Sequence, residues 1–307
     1  MISLLKQVGQ YLRLRRMLGF KLRHEGFMLP GFVRFITKHG GKITSKLALK
    51  WATIDPDASF GWWNHRLTMV REFAKFVHAR NPQHEIPPRN LLTVPRHRRI
   101  KPYIFQRRDI VSLIKISRRR GGVYGETDAT VLGLLAATGM RIGEVLGLDR
   151  DDIDWKNGIL LIRSGKFGKS RQIPVHPSTL KALAHYQTVR DKLMPIVRSP
   201  AFFLSGAGTR IHHQNFHLRY LRLLRESGLG ARNTYRPRIH DLRHTFIIST
   251  LAEWYRTGKD VQTKIASLST YVGHVCPSNT YWYMTTTQDL LGQAVRRLDR
   301  SQGGCHD

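Results

Sequence analysis

The sequence predicts a mostly α chain with a small antiparallel β-sheet, divided into a helical N-terminal domain and a larger mixed α/β domain. Three observations predict it. Apolar residues recur at helical spacing through most of the 307 residues, one pair of short apolar runs flanks a turn rich in glycine and lysine, and a proline-rich break near residue 90 interrupts both patterns. A chain of this length is too long for one average domain and too short for three.

In the first ninety residues Leu4, Val8, Tyr11 and Leu12 fall on one helix face. A second helix follows Asn64, read as its N-cap, with Leu67, Val70, Phe73, Ala74 and Val77 along one side and Pro82 as its stop. Residues 1–90 are therefore expected to form a small helical domain. Four prolines between Pro87 and Pro102 enclose Arg96, His97, Arg98, Arg99 and Lys101, so residues 91–102 read as a basic linker that no helix crosses. The remainder, 103–307, is expected to run helix, helix, hairpin, helices. Ile110, Leu113 and Ile114 mark the first of these, and residues 129–138 the second, ending at Gly139. Residues 159–162 and 172–175 would pair across the turn 164–169. Helical periodicity resumes after Ser178, with candidates at 214–226 and at 241–257, the latter closed by Gly258. Beyond residue 285, Leu290, Leu291, Val295 and Leu298 repeat at helical spacing in a C-terminal tail.

Fifty-one Lys and Arg against twenty-one Asp and Glu leave a net charge of +30, far more than solubility requires. The excess is spread along the chain: residues 1–90 hold sixteen basic and five acidic side chains. Nucleic acid is the first partner to consider, because neutralising backbone phosphates releases counterions and gives strong, salt-sensitive binding. An anionic membrane surface is the weaker alternative. No apolar run approaches the roughly 20 residues that span a bilayer, and Lys6, Arg13, Arg15 and Arg16 interrupt the apolar residues a signal peptide would need. A cytoplasmic protein is expected. Two cysteines, Cys276 and Cys305, make neither a disulfide framework nor a Cys-based zinc site.

Four stretches carry candidate chemistry. In Ala137-Thr138-Gly139-Met140-Arg141-Ile142-Gly143-Glu144 an apolar helix ends at glycine and delivers Arg141 beside a new helix start. The turn Gly165-Lys166-Phe167-Gly168-Lys169-Ser170 suggests a P-loop, but that motif needs glycine where this chain has Arg163. In His240-Asp241-Leu242-Arg243-His244 the zinc-protease reading fails because Asp241 stands where glutamate is required. His240 and Arg243, three apart, share a helix face; His244 projects from that side only partly and is assigned to packing. Last, Tyr271-Val272-Gly273-His274 precedes Thr280-Tyr281-Trp282-Tyr283, with Tyr283 nine residues after His274. The acidic cluster Asp149, Asp151, Asp152 and Asp154 lacks calcium-loop spacing and reads as a solvated turn with capping aspartates rather than a metal site.

Taken in order, these pieces resemble the tyrosine recombinase (phage integrase) family. Its members share an arginine in an Ala-Thr-Gly-x-Arg-x-x-Glu context, a lysine in a β-hairpin, a His-x-x-Arg box, a Leu-Gly-His box and a terminal tyrosine. Arg141, Lys166, His240, Arg243, His274 and Tyr283 fill those places here, across residues 136–283. Val272 stands where leucine is usual, Lys169 competes with Lys166, and Tyr281 competes with Tyr283, although the family's nine-residue step selects Tyr283. The Tyr-Trp-Tyr context resembles transposon-borne members.

The resemblance implies a site-specific recombinase that cuts duplex DNA through a 3′-phosphotyrosine, without metal or cofactor. Paired guanidinium donors on Arg141 and Arg243 suit the oxygens of a phosphate under attack. His240 and His274 would add hydrogen bonds and share proton transfer, and Lys166 would protonate the leaving 5′ oxygen. Covalent storage of the bond on Tyr283 allows religation without ATP. Glu144 would orient the cluster. Arg96, Arg98, Arg99, Lys101, Lys169 and Arg171 are the expected DNA-contacting residues, with the N-terminal domain as a clamp on the opposite side of the duplex. Four protomers on two DNA sites, the tail of each docking on a neighbour, follow from the same resemblance. Partner recombinases and association with a prokaryotic nucleoid also fit it. A type IB topoisomerase and an inactive DNA-binding relative are the alternative readings.

Overall fold

The computed structural model describes residues 3–92, 102–163, 170–197, 199–229, 236–274, 276 and 278–286. The chain divides into two compact units, residues 1–100 and 101–307. The basic run 93–101 with Arg96, Arg98, Arg99 and Lys101, the hairpin tip 164–169 with Lys166 and Lys169, and the tail from 287 lie outside the described residues.

Unit 1 holds α1 (Leu4–Met17), α2 (Arg23–Thr37), α3 (Ser45–Ala52) and α4 (Phe60–His78). Val8, Tyr11, Phe32, Ile36, Trp51 and Phe73 meet in its core. Helix α4 starts earlier than Asn64. Ser59 is its N-cap, with Oγ accepting from the Trp62 N–H at 3.3 Å, so the aromatic run that follows is already helical. Arg71 donates to the carbonyls of Pro87 and Pro88 at 2.8 and 2.9 Å, tying the chain's exit to α4.

Unit 2 begins with α5 (Arg107–Arg119) and α6 (Gly122–Thr138). Helix α6 is buried along most of its length, with Val131, Leu132 and Leu135 in the core and Tyr124 exposed near its start. A short helix α7 (Ile142–Val145) and a 3-10 turn at Arg150–Asp152 lead into a three-stranded antiparallel sheet, β1 (Ile153–Asp154), β2 (Ile159–Ile162) and β3 (Arg171–Pro174), in that spatial order. Strand β1 is an addition to the expected hairpin, and β3 begins one residue earlier. Leu160 opposes Ile173 on the buried face, and Ile162 opposes Arg171. Helices α8 (Pro177–Leu193), α9 (His213–Glu226), α10 (Ile239–Arg256), α11 (Val261–Val272) and α12 (Ser278–Thr286) follow. Ile247, Leu251, Leu268, Val272 and Tyr283 pack α10, α11 and α12 together.

One part of the acidic cluster departs from a solvated turn. Asp152 is buried, accepts from the Asp149 N–H at 2.9 Å and pairs with Arg163 at 2.5 Å. Asp154 does sit in an exposed turn, accepting from the N–H groups of Lys156 and Asn157. Among the described residues no helix is long and apolar enough to cross a membrane.

Helix α6 ends at Gly139 for two reasons. Its φ is +61°, and a Cβ there would lie 2.4 Å from the Phe246 ring. Gly139→Ala should destabilise unit 2 by at least about 1–2 kcal/mol, the cost of the left-handed conformation alone, with the clash adding to it. Denaturant unfolding of the variant checks this.

Candidate active site

The site is assembled from the ends of four helices and the start of one strand. The turn at Gly139 carries the chain through buried Met140 to Arg141, which is the N-cap of α7. Glu144, three residues on, accepts from the Arg141 backbone N–H at 2.9 Å and from its Nη1 at 2.8 Å. One carboxylate thus caps the helix and holds the guanidinium. On α10, Asp241 does the capping, accepting from the Arg238 N–H at 2.8 Å. That places His240 and Arg243 near the start of α10, with Arg243 reaching the Gly139 turn. Arg243 is only 2 % exposed, and its Nη1 donates to the carbonyls of Gly139 and Val272, both at 2.7 Å. Its buried Nη2 has no hydrogen-bond partner among the described residues.

The C-terminus of α11 binds these pieces together. The chain turns at Gly273 with φ +72°, and the His274 N–H returns to the Ser269 carbonyl at 2.8 Å. The carbonyls of Tyr271, Val272 and Gly273 are left over. Arg171 donates Nε to Tyr271 at 3.0 Å, Arg243 donates to Val272, and Arg141 donates Nη2 to Gly273 at 2.5 Å. Three guanidiniums therefore cap one helix end, where the backbone dipole favours cations.

His274 leaves this turn with Nδ1 at 2.7 Å from Thr280 Oγ1, which in turn lies 2.5 Å from Ser269 Oγ. Thr280 is fully buried on α12. Tyr283, one turn further along that helix, is 3 % exposed. Its hydroxyl is 2.6 Å from His244 Nδ1, and its ring lies parallel to that of His274 with centroids 6.3 Å apart. Tyr281 points outward, 47 % exposed.

Charge separates the site into fixed cations and neutral imidazoles. Burial opposes the ionised form of Glu144, but hydrogen bonds from Arg171 and the Arg141 N–H outweigh it and hold the carboxyl at about 2. Burial, then the Arg141 charge, pushes Arg243 down to about 10, which still leaves it a cation at neutral pH. Burial and the arginines lower His240. His274 is pushed to about 3 by burial and by Arg243 and Arg141, and His244 to about 4 by burial and by His240. Among the described residues no group of three or more His, Cys, Asp or Glu is placed to hold a metal ion.

Arg141, Glu144, His240, Arg243, His274 and Tyr283 are thus brought to one place. Arg171 differs from its expected role: instead of facing outward it turns inward, with Nη1 and Nη2 at 2.9 and 2.7 Å from the two oxygens of Glu144. Its place at the foot of a lysine-rich turn suggests a phosphate contact, and nothing local reveals a carboxylate partner 27 residues away. His244 is more than a packing residue, since it holds the Tyr283 hydroxyl. Its ring also meets that of His240 edge to face at 4.8 Å.

The depressed histidines fix a pH dependence of stability. Folded values of about 3 for His274 and about 4 for His244 lie below the ordinary 6.5, so the unfolded chain binds more protons and stability falls as pH drops below about 6.5. Glu144, at about 2 against an ordinary 4.5, adds its loss only below about 4.5. The thermal midpoint of unit 2 should therefore fall between about pH 7 and pH 5, and His274→Gln should narrow that fall. An equal fall in both proteins would show that His274 is not held neutral by its surroundings.

Comparison with known proteins places this geometry. The pattern of the phage integrase family matches residues 104–289. An integrase/recombinase of Sinorhizobium fredii, y4rB, is 37 % identical over 95 % of this chain and 96 % of its own. The tyrosine recombinase XerD of Staphylococcus epidermidis is 26 % identical over 73 % of this chain and 72 % of its own. Among solved structures, the Tn1549 transposon integrase in complex with a circular intermediate DNA superposes with a TM-score of 0.66 at 17 % identity, covering 97 % of this chain and all of that one. The XerA recombinase gives 0.51 at 21 % identity, covering 97 % of each chain. The family pattern covers more than half of the chain and the Sinorhizobium relative nearly all of it, so the chain belongs to the phage integrase family of site-specific tyrosine recombinases.

Proposed function

We propose that the protein cleaves and rejoins duplex DNA through a 3′-phosphotyrosine formed on Tyr283, without a metal ion. The observation that carries this reading is the convergence of Arg141, Arg243, His240, His274 and Tyr283 around the end of α11. Each group has a chemical duty in it. Arg243 Nη2, buried and unpaired among the described residues, and the half-buried Arg141 fork donate to the nonbridging oxygens of the scissile phosphate. With Thr280 donating to Nδ1, neutral His274 carries its proton on Nε2 and donates to the same phosphate. Tyr283 Oη attacks phosphorus, its proton passing to a neighbouring imidazole or to water, and the P–O5′ bond breaks. The leaving 5′ oxygen takes a proton from Lys166, with Lys169 as the alternative donor. A 5′ hydroxyl from a second DNA end reverses the step, which exchanges strands without ATP.

Two guanidiniums supply the charge that divalent ions supply in metal-dependent nucleases. Glu144, the carboxylate of the site, is occupied by Arg141 and Arg171. Affinity for the duplex follows from the net charge of +30, with Arg96, Arg98, Arg99, Lys101 and Lys169 as phosphate contacts. Four protomers on two sites, with tails docked in trans, are the proposed working assembly. A lambda integrase dimer bound to a core site is among the solved structures of similar fold, with a TM-score of 0.56. The proposed setting is the DNA of a prokaryotic cytoplasm.

A pool of nicked duplexes with randomised arms tests the reading. The wild type should form a covalent DNA adduct that survives denaturation and persists in EDTA, with mass spectrometry placing it on Tyr283. Tyr283→Phe should form none while binding DNA as before, and Arg141→Ala should form it about 100- to 1,000-fold more slowly. An adduct on Tyr281 would move the nucleophile and keep the chemistry.

A further inference from the structure

Arg171 is the first residue of β3 and opposes Ile162 across the hairpin. Its side chain is 14 % exposed, and its three nitrogens all donate inward. Nη1 and Nη2 take the two oxygens of Glu144 as a fork, while Nε takes the Tyr271 carbonyl. Its guanidinium also lies flat against Gly273, where a Cβ would come within 2.8 Å of the guanidinium carbon. Arg171 therefore touches the residue that holds Arg141 and the turn that delivers His274.

We propose that Arg171 is a positioning residue of the cleavage reaction, locking Glu144 and the end of α11 so that Arg141 is held in place to serve the phosphate. This rests on the reading that Arg141, Arg243 and Tyr283 act on a phosphodiester. With Arg171 in place, Glu144 is shared between two guanidiniums, and the trio keeps one uncompensated positive charge beside the phosphate position. Without Arg171, Glu144 and Arg141 form a closed neutral pair, and the carboxylate is free to draw Arg141 into a fork of its own. The Tyr271 carbonyl also loses its donor, loosening the turn that aims His274. Because β3 is the strand that leads out of the tip carrying Lys166, the same contact fixes the root of that loop to the phosphate-binding end of the site. Nε, Nη1 and Nη2 of Arg171 each already have an acceptor in the protein, whereas Nη2 of Arg243 has none among the described residues.

The test separates rate from affinity. Wild type, Arg171→Met and Arg171→Lys are compared on the nicked-duplex pool for the rate of covalent adduct formation, and on plain duplex for affinity across a salt series. Positioning predicts an adduct rate about 100-fold lower for Arg171→Met, with DNA affinity and salt slope unchanged. Arg171→Lys should recover part of the rate, since an ammonium restores the charge but not the fork. An unchanged rate in Arg171→Met overturns the proposal. So does a salt slope shallower by about one, which would mark a lost phosphate contact. If Arg171→Met fails to fold, Arg171→Lys decides: a full wild-type rate, or a loss confined to affinity, is equally fatal. Absence of any adduct with the wild type would instead remove the recombinase reading beneath it.

Discussion

Three guanidiniums crowd the C-terminus of α11, and everything else in the site depends on how that crowding is made tolerable. Like charges at such range repel strongly wherever water is excluded, and burying Arg243 at 2 % exposure adds a desolvation cost. Two features offset this. Glu144 takes four donors from Arg141 and Arg171, counting the Arg141 backbone N–H. The helix end supplies three carbonyls that its own hydrogen bonding leaves over, one for each arginine. The cations are thereby fixed in folding, which in the proposed reaction spares reorganisation at the phosphate.

The same cations set the state of the imidazoles. His240, His244 and His274 lie within the arginine field in partly buried positions, and both effects act against a proton. They are therefore hydrogen-bonding groups rather than added charge near neutrality. Thr280 and Ser269 orient His274 from behind, and His244 holds Tyr283 by its hydroxyl. Since Tyr283 also belongs to the apolar cluster of α10, α11 and α12, the packing of those helices determines where the hydroxyl stands.

Much of this was legible in the sequence because helices announce themselves locally. The 3.6-residue period marked α1, α5, α9 and α10 to within a few residues, and glycine marked the ends at Gly139 and Gly258. The start of α4 was missed because Asn64 is a good cap and Ser59 an equally good one; the aromatic run between them has no polar face to show which is used. The two-residue strand β1 exists only because β2 lies beside it, so no local pattern could signal it. At the site, motif order brought six residues into view, and Glu144 came with the family motif around Arg141. Arg171, Thr280 and His244 were harder. Arg171 and His244 meet partners 27 to 100 residues away, and Thr280 sits on a helix that reaches the end of α11 only in the folded unit, so their chemistry is a product of tertiary structure.

The balance of charge argues for a site tuned to the transition state rather than to bound substrate. Arg141, Arg171 and Arg243 against Glu144 leave two positive charges uncompensated around the end of α11. A phosphodiester carries one negative charge. In the proposed cleavage, attack by a tyrosine that has given up its proton brings a second onto the five-coordinate phosphorus, and the mismatch present in the ground state disappears as the bond forms. Interactions that strengthen only along that path raise the rate, whereas those already complete in the bound substrate raise affinity alone. A protein with a net charge of +30 has no shortage of ground-state affinity for DNA. It needs cations held at fixed distances, and the carbonyls of a single helix end provide them.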